Sequence, residues 1–285
     1  MTARMTVVIP AHDEAAILGR ALTRLLAGDH DHELELIVVA NGCSDGTAEV
    51  ARRASSRIRV IEIDAASKTA ALNAGDDAAT TYPRAYLDAD VDIDATTLLA
   101  IADRLTTTAA LVASPRLSVD TVGASLPVRQ YYRIWEQSEY RSQGHIGSGV
   151  YVLSKEGRAR FGRFPDVIAD DRFVQQLFAP HERLVAPDLH FSVRAPRRFG
   201  ALVRRAERIA HGNAQLARLH PEVAGPSSAT RFVPLLRRVL ARPALWSAFP
   251  AYVVGYAVPK INAGRHARSG KLSGWNRDET TRVSA

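Results

Sequence analysis

The first hundred or so residues predict an α/β protein whose core is a Rossmann-like, mainly parallel sheet flanked by helices. Short β-rich apolar runs alternate with stretches whose apolar residues recur at helical spacing. The segments that end these runs, "PAHDE", "ANGCSDG" and "DADVD", are polar and turn-forming, and in open α/β sheets ligands bind beyond the carboxyl ends of the strands. The three segments are expected to meet in one crevice.

Residues 6–9 read as a strand stopped by Pro10. Residues 14–27 put Ile17, Leu18, Ala21, Leu22, Leu25 and Leu26 on one helical stripe closed by Gly28. "LELIVVA" at 34–40 is continuous enough for a buried strand, "NGCSDG" is a turn, and 47–54 a short helix. Residues 59–63 are a strand, 68–79 an Ala-rich helix, 85–87 a strand and 95–107 a helix, after which "ALVASPRL" returns to strand. The second half is less regular. Residues 146–157, "IGSGVYVLSKEG", combine glycines with a β-rich run. "ADDRFVQQLF" begins a helix at Asp170 and Asp171, and 198–219 is a basic helix.

The chain is 46% hydrophobic and 24% charged, enough to bury a core. The single Cys43 excludes an internal disulfide framework, and the N-terminus reaches Pro10 and acidic residues too soon for a secretory apolar segment. A cytoplasmic protein is expected. The net charge of +7 is unevenly spread: from Arg194 onward there are 17 Lys+Arg against 4 Asp+Glu, and before it 20 against 26. The basic part should face something anionic. It carries neither a zinc-finger pattern nor an aromatic RNA-binding signature, so the expected target is an anionic membrane surface or acceptor and not nucleic acid.

"AYLDADVDID" places Asp88, Asp90, Asp92 and Asp94 on alternate positions, all leaning to one side if the chain stays extended. Carboxylates so close repel unless a cation or hydrogen-bond donors compensate. Hard cations such as Mg²⁺ and Mn²⁺ prefer oxygen ligands, and Asp88 with Asp90 meets that need. Asp94 fits better as the N-cap of the following helix. Asp92 stays open between the two roles, and a solvated acidic loop is the plain alternative for the pair.

"VVIPAHDEAAIL", "VVANGCSDGT", "SKTAALNAG", "YLDAD", "GSGVYVLS" and "ADDRFV" stand in the order found in family 2 glycosyltransferases, and the chain resembles that family over residues 6–177. The resemblance implies the GT-A fold and a metal-dependent, inverting transfer from a nucleotide-diphosphate sugar, a UDP-sugar above all, to a glycan or lipid-linked acceptor. It divides the chain into a nucleotide-sugar half (1–115), an acceptor half with the catalytic base (116–230) and a basic, apolar extension (231–285). Pro10, Ala11, His12, Glu14 and Asn41 are then expected around the base and ribose, and Lys68 and Asn73 near the phosphates or ribose. Asp88 and Asp90 would bind Mn²⁺ or Mg²⁺, Asp90 more directly. Asp171 would be the base, Asp170 would help orient the acceptor, and Gly147, Ser148 and Gly149 would wall the acceptor side.

Two positions depart from the family pattern. Asn41 replaces an Asp that accepts the uracil N3–H, keeping an acceptor without its charge, and His12 replaces a Tyr. Simpler roles stand beside these. Glu14 suits the positive end of its helix, Asp45 shapes a turn, and Cys43 reads as an ordinary small residue. A processive synthase is not expected: "QYYRIW" has one residue too many for the processive motif and precedes the acidic pair. Other readings are a nucleotidyltransferase, which would carry a Gly- and Arg/Lys-rich phosphate loop near the first strand, and a catalytically silent nucleotide-sugar-binding protein.

In the extension, residues 244–258 are too short and too interrupted by Pro250 and Gly255 to span a bilayer. Trp246, Phe249, Tyr252 and Tyr256 are expected either at lipid headgroups, between cationic flanks, or packed against the catalytic domain or a twin subunit in a homodimer.

Overall fold

The computed structural model describes residues 3–29, 32–138, 146, 148–223 and 232–269. Its first half follows the predicted order within a residue or two: β1 (Met5–Ala11), α1 (Ala15–Gly28), β2 (Leu34–Asn41), α2 (Thr47–Ala54), β3 (Arg59–Ile63), α3 (Lys68–Ala78), β4 (Arg84–Leu87). Then come β5 (Val91–Asp92), α4 (Ala95–Thr107), β6 (Val112–Asp120), α5 (Leu126–Trp135), β7 (Val150–Leu153), α6 (Lys155–Arg158), α7 (Asp170–Gln176), β8 (Arg183–Arg194), α8 (Phe199–Leu219), α9 (Phe232–Leu240) and α10 (Phe249–Ser269).

Among the described residues, eight strands join one sheet in the order β3-β2-β1-β4-β7-β6-β8-β5. β1 to β4 are mutually parallel, β7 runs antiparallel between β4 and β6, and β8 lies parallel to β6. Side-chain alternation fixes what each face buries. Val7, Ile9, Ala85, Leu87, Val150 and Val152 join the core with α1 and α4, whereas Val8, Tyr86, Tyr151 and Leu153 turn to the opposite face, beside Phe164, Phe173 and Val174. The strand ends that carry the polar segments project from between these layers.

α5, β5 and β8 were not legible beforehand. The ladder between β6 and β8 jumps register between Pro115 and Arg116, so that "PDL" at 187–189 bulges out, and a bulge disrupts the alternation by which a strand is recognised. Nor does the acidic run stay extended. The Val91 N–H donates to the Asp88 carbonyl at 3.1 Å, turning the chain at Ala89–Asp90 and separating the four carboxylates.

The extension is helical across its supposed breaks. Pro250 sits in the first turn of α10, where its missing N–H costs nothing. Gly255 is an interior position whose Cβ would come within 2.7 Å of the Tyr131 ring, so glycine lets α10 pack closely on α5. Tyr252 is buried and stacks on Tyr131 with ring centroids 5.2 Å apart. Phe249 and Tyr256 pack partly buried on the same cluster, which includes Ile134, Leu235, Val239 and Leu245. Of the four aromatics expected at a lipid surface, Trp246 is the exposed one. Among the described residues no helix is long and apolar enough to cross a membrane.

Candidate active site

The ends of β1 and β2 form the first wall. Pro10 and Ala11 are buried strand residues paired with Val39 and Ala40. His12 follows, its Nδ1 hydrogen-bonded to the Asn41 carbonyl. A carbonyl only accepts, so Nδ1 carries the proton and Nε2 keeps its lone pair in the neutral ring. Asp13 adopts φ +47°, and its Oδ1 accepts from the Ser44 N–H at 2.6 Å and hydroxyl at 3.2 Å. Asn41 is 1% exposed and its side-chain Nδ2 lacks a hydrogen-bond partner. Glu14 precedes α1, its N–H donating to the Thr47 hydroxyl at 2.8 Å. Asp45 does shape its turn: its carboxylate accepts from the Thr47 N–H at 3.0 Å and from the Ala15 N–H at 3.1 Å. Cys43 is half-buried with its thiol donating to the Ala11 carbonyl at 3.4 Å.

At the end of β4 the turn sorts the acidic run. Asp94 caps α4, accepting from the Thr97 N–H at 2.8 Å. Asp92 pairs with Arg24 of α1 at 2.6 Å, so it is a structural ion pair. Asp88 meets Lys68 Nζ at 2.7 Å. Asp90 lies exposed on the turn.

The third wall comes from β7 and α7. The Gly149 carbonyl accepts from the Asp88 N–H at 2.8 Å, and the Ser148 N–H donates to Asp171 Oδ2 at 3.0 Å. Consecutive residues thus tie the two predicted catalytic regions together. Gly149 has φ +107°, and a Cβ there would fall 2.6 Å from Val91 Cγ2 and 3.5 Å from Asp88 Oδ2; only glycine fits. Gly147 lies outside the described residues.

Lys68 is the hub. Besides Asp88 it holds Asp170 Oδ1 at 3.0 Å. Burial works against its charge, but Asp170, Asp88 and Asp171 together outweigh that and keep the ammonium firmly protonated. Burial also pushes the Asp170 carboxyl up to about 6, Asp171 and Asp88 adding to the rise and Lys68 opposing it. Asp88 is raised too, first by burial, then by its neighbour Asp90.

Two of the expected site residues are also held by protein partners. Asp170 is 2% exposed, with Oδ1 paired to Lys68 and Oδ2 buried without a hydrogen-bond partner. Asn73 donates from Nδ2 to the Phe164 carbonyl at 3.0 Å and accepts from the Phe164 N–H at 2.8 Å, which occupies its amide in clamping α3 to the segment before α7. One neighbour escaped notice: Tyr151 is buried on the face shared with Tyr86, its hydroxyl lacks a hydrogen-bond partner, and Asp170 and Asp171 act on it electrostatically. The alternation of "VYVL" on β7 could have revealed it, because Tyr151 points opposite to Val150 and Val152.

Similar folds occur in solved structures. The mannosyltransferase PcManGT from Pyrobaculum calidifontis, in complex with GDP-Man and Mn²⁺, superposes with a TM-score of 0.61 at 22% identity over 95% of this chain and 80% of its own. Glucosyl-3-phosphoglycerate synthase from Mycobacterium tuberculosis, in complex with Mn²⁺, UDP and phosphoglyceric acid, gives 0.53 at 19% identity over 79% and 80%. No curated protein matches. The fold is therefore that of the GT-A glycosyltransferases. The family pattern of "Glycosyl transferase family 2" matches residues 6–154, and the chain belongs to that family.

Proposed function

We propose that this enzyme transfers a sugar from a nucleotide-diphosphate sugar to an acceptor hydroxyl in one inverting, non-processive step. The observation that carries the reading is the cluster in which Lys68 joins Asp88 to Asp170 while Ser148 and Gly149 join Asp88 to Asp171. The donor set suits a divalent cation. Asp88, Asp170 and Asp171 act on one ammonium and Asp90 adjoins Asp88, leaving an excess of hard oxygen ligands and negative charge. Asp90 and Asp88 would hold Mn²⁺ or Mg²⁺, which when bound would neutralise the diphosphate leaving group. The relatives named above contain Mn²⁺ with a nucleotide, which supports this assignment.

The chain's own residues do the rest. His12 and the buried amide of Asn41 border the base, with Nδ2 free to donate to a base carbonyl. Asp171 takes the acceptor proton as the hydroxyl attacks. Its Ser148 bond fixes the carboxylate, and Lys68 with Asp170 fixes the wall behind it. Gly149 lets the backbone approach Asp88 without a side chain in the way.

The test is nucleotide release from UDP- and GDP-sugars with Mn²⁺. Asp171→Asn should lower kcat by roughly 10²–10⁴ while nucleotide affinity is kept. Equal turnover by the variant would sink the assignment, and the donor that is turned over identifies the base read at Asn41.

A lipid-linked acceptor remains part of the reading, through peripheral docking of the extension. The exposed Leu240, Trp246 and Val254 lie on segments that also expose Arg237, Arg238 and Arg242, a combination suited to anionic headgroups. Full-length protein should sediment with phosphatidylglycerol vesicles at low salt and less so with Trp246→Ser. Failure to sediment would remove this part of the reading.

A further inference from the structure

His12, Asp13 and Cys43 come from two different strand ends, yet each offers a ligand atom within 4.8 Å of the other two. We infer that they form a second cation site, selective for thiophilic Zn²⁺ and located in the donor pocket, so that zinc and nucleotide exclude one another. The exclusion rests on the donor reading above; the zinc site does not.

The orientation of the three groups supports a built site. The His12 ring is oriented by its Nδ1 bond to the Asn41 carbonyl, and its Nε2 lies 3.9 Å from Asp13 Oδ2. A ligating imidazole whose other nitrogen bonds a backbone carbonyl is the usual arrangement around protein zinc. Asp13 is likewise held from behind, Oδ1 being fixed by the Ser44 N–H and hydroxyl. Cys43 supplies sulfur from the loop after β2. Zinc–ligand bonds of about 2.0–2.3 Å place tetrahedral ligands roughly 3.3–3.8 Å apart, so small side-chain rotations close the present spacing. Three protein ligands leave a fourth position for water.

Ligand chemistry separates this site from the carboxylates at Asp88 and Asp90. Imidazole with thiolate selects Zn²⁺, whereas carboxylates alone suit Mg²⁺ and Mn²⁺. Zinc at His12 would also fix the ring that borders the base, which makes it an inhibitor competing with the donor and not a substitute for the catalytic metal.

Cobalt reports on such a site directly. Co²⁺ titrated into the full-length protein without nucleotide should produce a sulfur-to-cobalt charge-transfer band saturating at one equivalent and bleached by Zn²⁺. The band should vanish in Cys43→Ser and in His12→Gln and persist in Asp90→Asn. Either UDP or GDP should suppress it. Absence of the band in the wild type, or its survival in Cys43→Ser, overturns the zinc site. A band untouched by both nucleotides overturns the exclusion. If either happens while sugar donors still turn over with Mn²⁺, the inference fails and the glycosyltransferase reading stands.

Discussion

Lys68→Met removes one ammonium while keeping an apolar stem of similar length, and its cost can be worked out from Asp170. In the wild type that carboxyl is 2% exposed and titrates near 6 instead of its ordinary 3.8. At pH 7.5 it is ionised and held by Lys68 at 3.0 Å. Once the ammonium is gone, a buried lone carboxylate is so unfavourable that Asp170 takes up a proton. The loss is then bounded by the free energy of protonating the wild-type group, ~1.4 kcal/mol for each pH unit above 6. That gives ~2 kcal/mol at pH 7.5 and nearly ~3 at pH 8. The Asp88 arm adds under ~1 kcal/mol, because that side chain is 35% exposed and its pair is screened.

The sign follows from proton binding. Between about 4 and 6 the folded protein holds the Asp170 proton more tightly than the unfolded chain, so this group's contribution to stability is complete below pH 4 and lost as pH rises through 6. In Lys68→Met the native carboxyl keeps its proton to higher pH, so the decline runs further and the gap to wild type opens above pH 6. Urea unfolding of both proteins in EDTA at pH 5, 6.5 and 8, followed by tryptophan fluorescence, measures it. Adding Asp170→Asn to the variant should abolish the pH dependence of the gap. A gap of equal size at all three pH values, or none at pH 8, would refute the buried pair.

Other substitutions separate folding from chemistry. Gly149→Ala forces an L side chain into φ +107° against Val91 and should cost about 1–3 kcal/mol, seen as a lower Tm, with loss of activity as Asp88 shifts. Asn73→Ala leaves the Phe164 N–H and carbonyl without the partners they have in the wild type and should cost ~1–3 kcal/mol in thermal unfolding while leaving the KM for the donor unchanged. Asp90→Asn should raise the Mn²⁺ concentration needed for half-maximal activity with little effect on Tm, since Asp90 is exposed.

The βα alternation was legible because parallel strands buried on both faces read as unbroken apolar runs, as in "TVVIP" and "LELIVVA". What stayed hidden was long-range. Nothing local to Asp92 announces Arg24, which reaches it from α1, and nothing local to Asn73 announces the backbone of Phe164. Cys43 read as ordinary because its neighbours His12 and Asp13 lie some thirty positions away and meet it only through the pairing of β1 with β2. The extension misled in the opposite way. Pro250 and Gly255 are helix breakers by propensity, but one falls in a first turn and the other admits Tyr131, so packing overrode local preference.

The crowding of charge at residues 88–94 is now accounted for side chain by side chain. Arg24 takes Asp92 at 2.6 Å, the start of α4 takes Asp94, and Lys68 takes Asp88. Asp90 is left exposed on a turn beside Asp88. Lys68 cannot serve Asp88 alone, because Asp170 claims the same ammonium from the buried side. One positive charge shared by two carboxylates, with Asp90 and Asp171 close by, leaves the cluster with an excess of negative charge. A divalent cation held at Asp88 and Asp90, as proposed above, would relieve that excess where a half-exposed and an exposed carboxylate adjoin. The same reasoning excludes Asp92 and Asp94 as ligands, since a cation there would first have to displace an arginine and a helix cap.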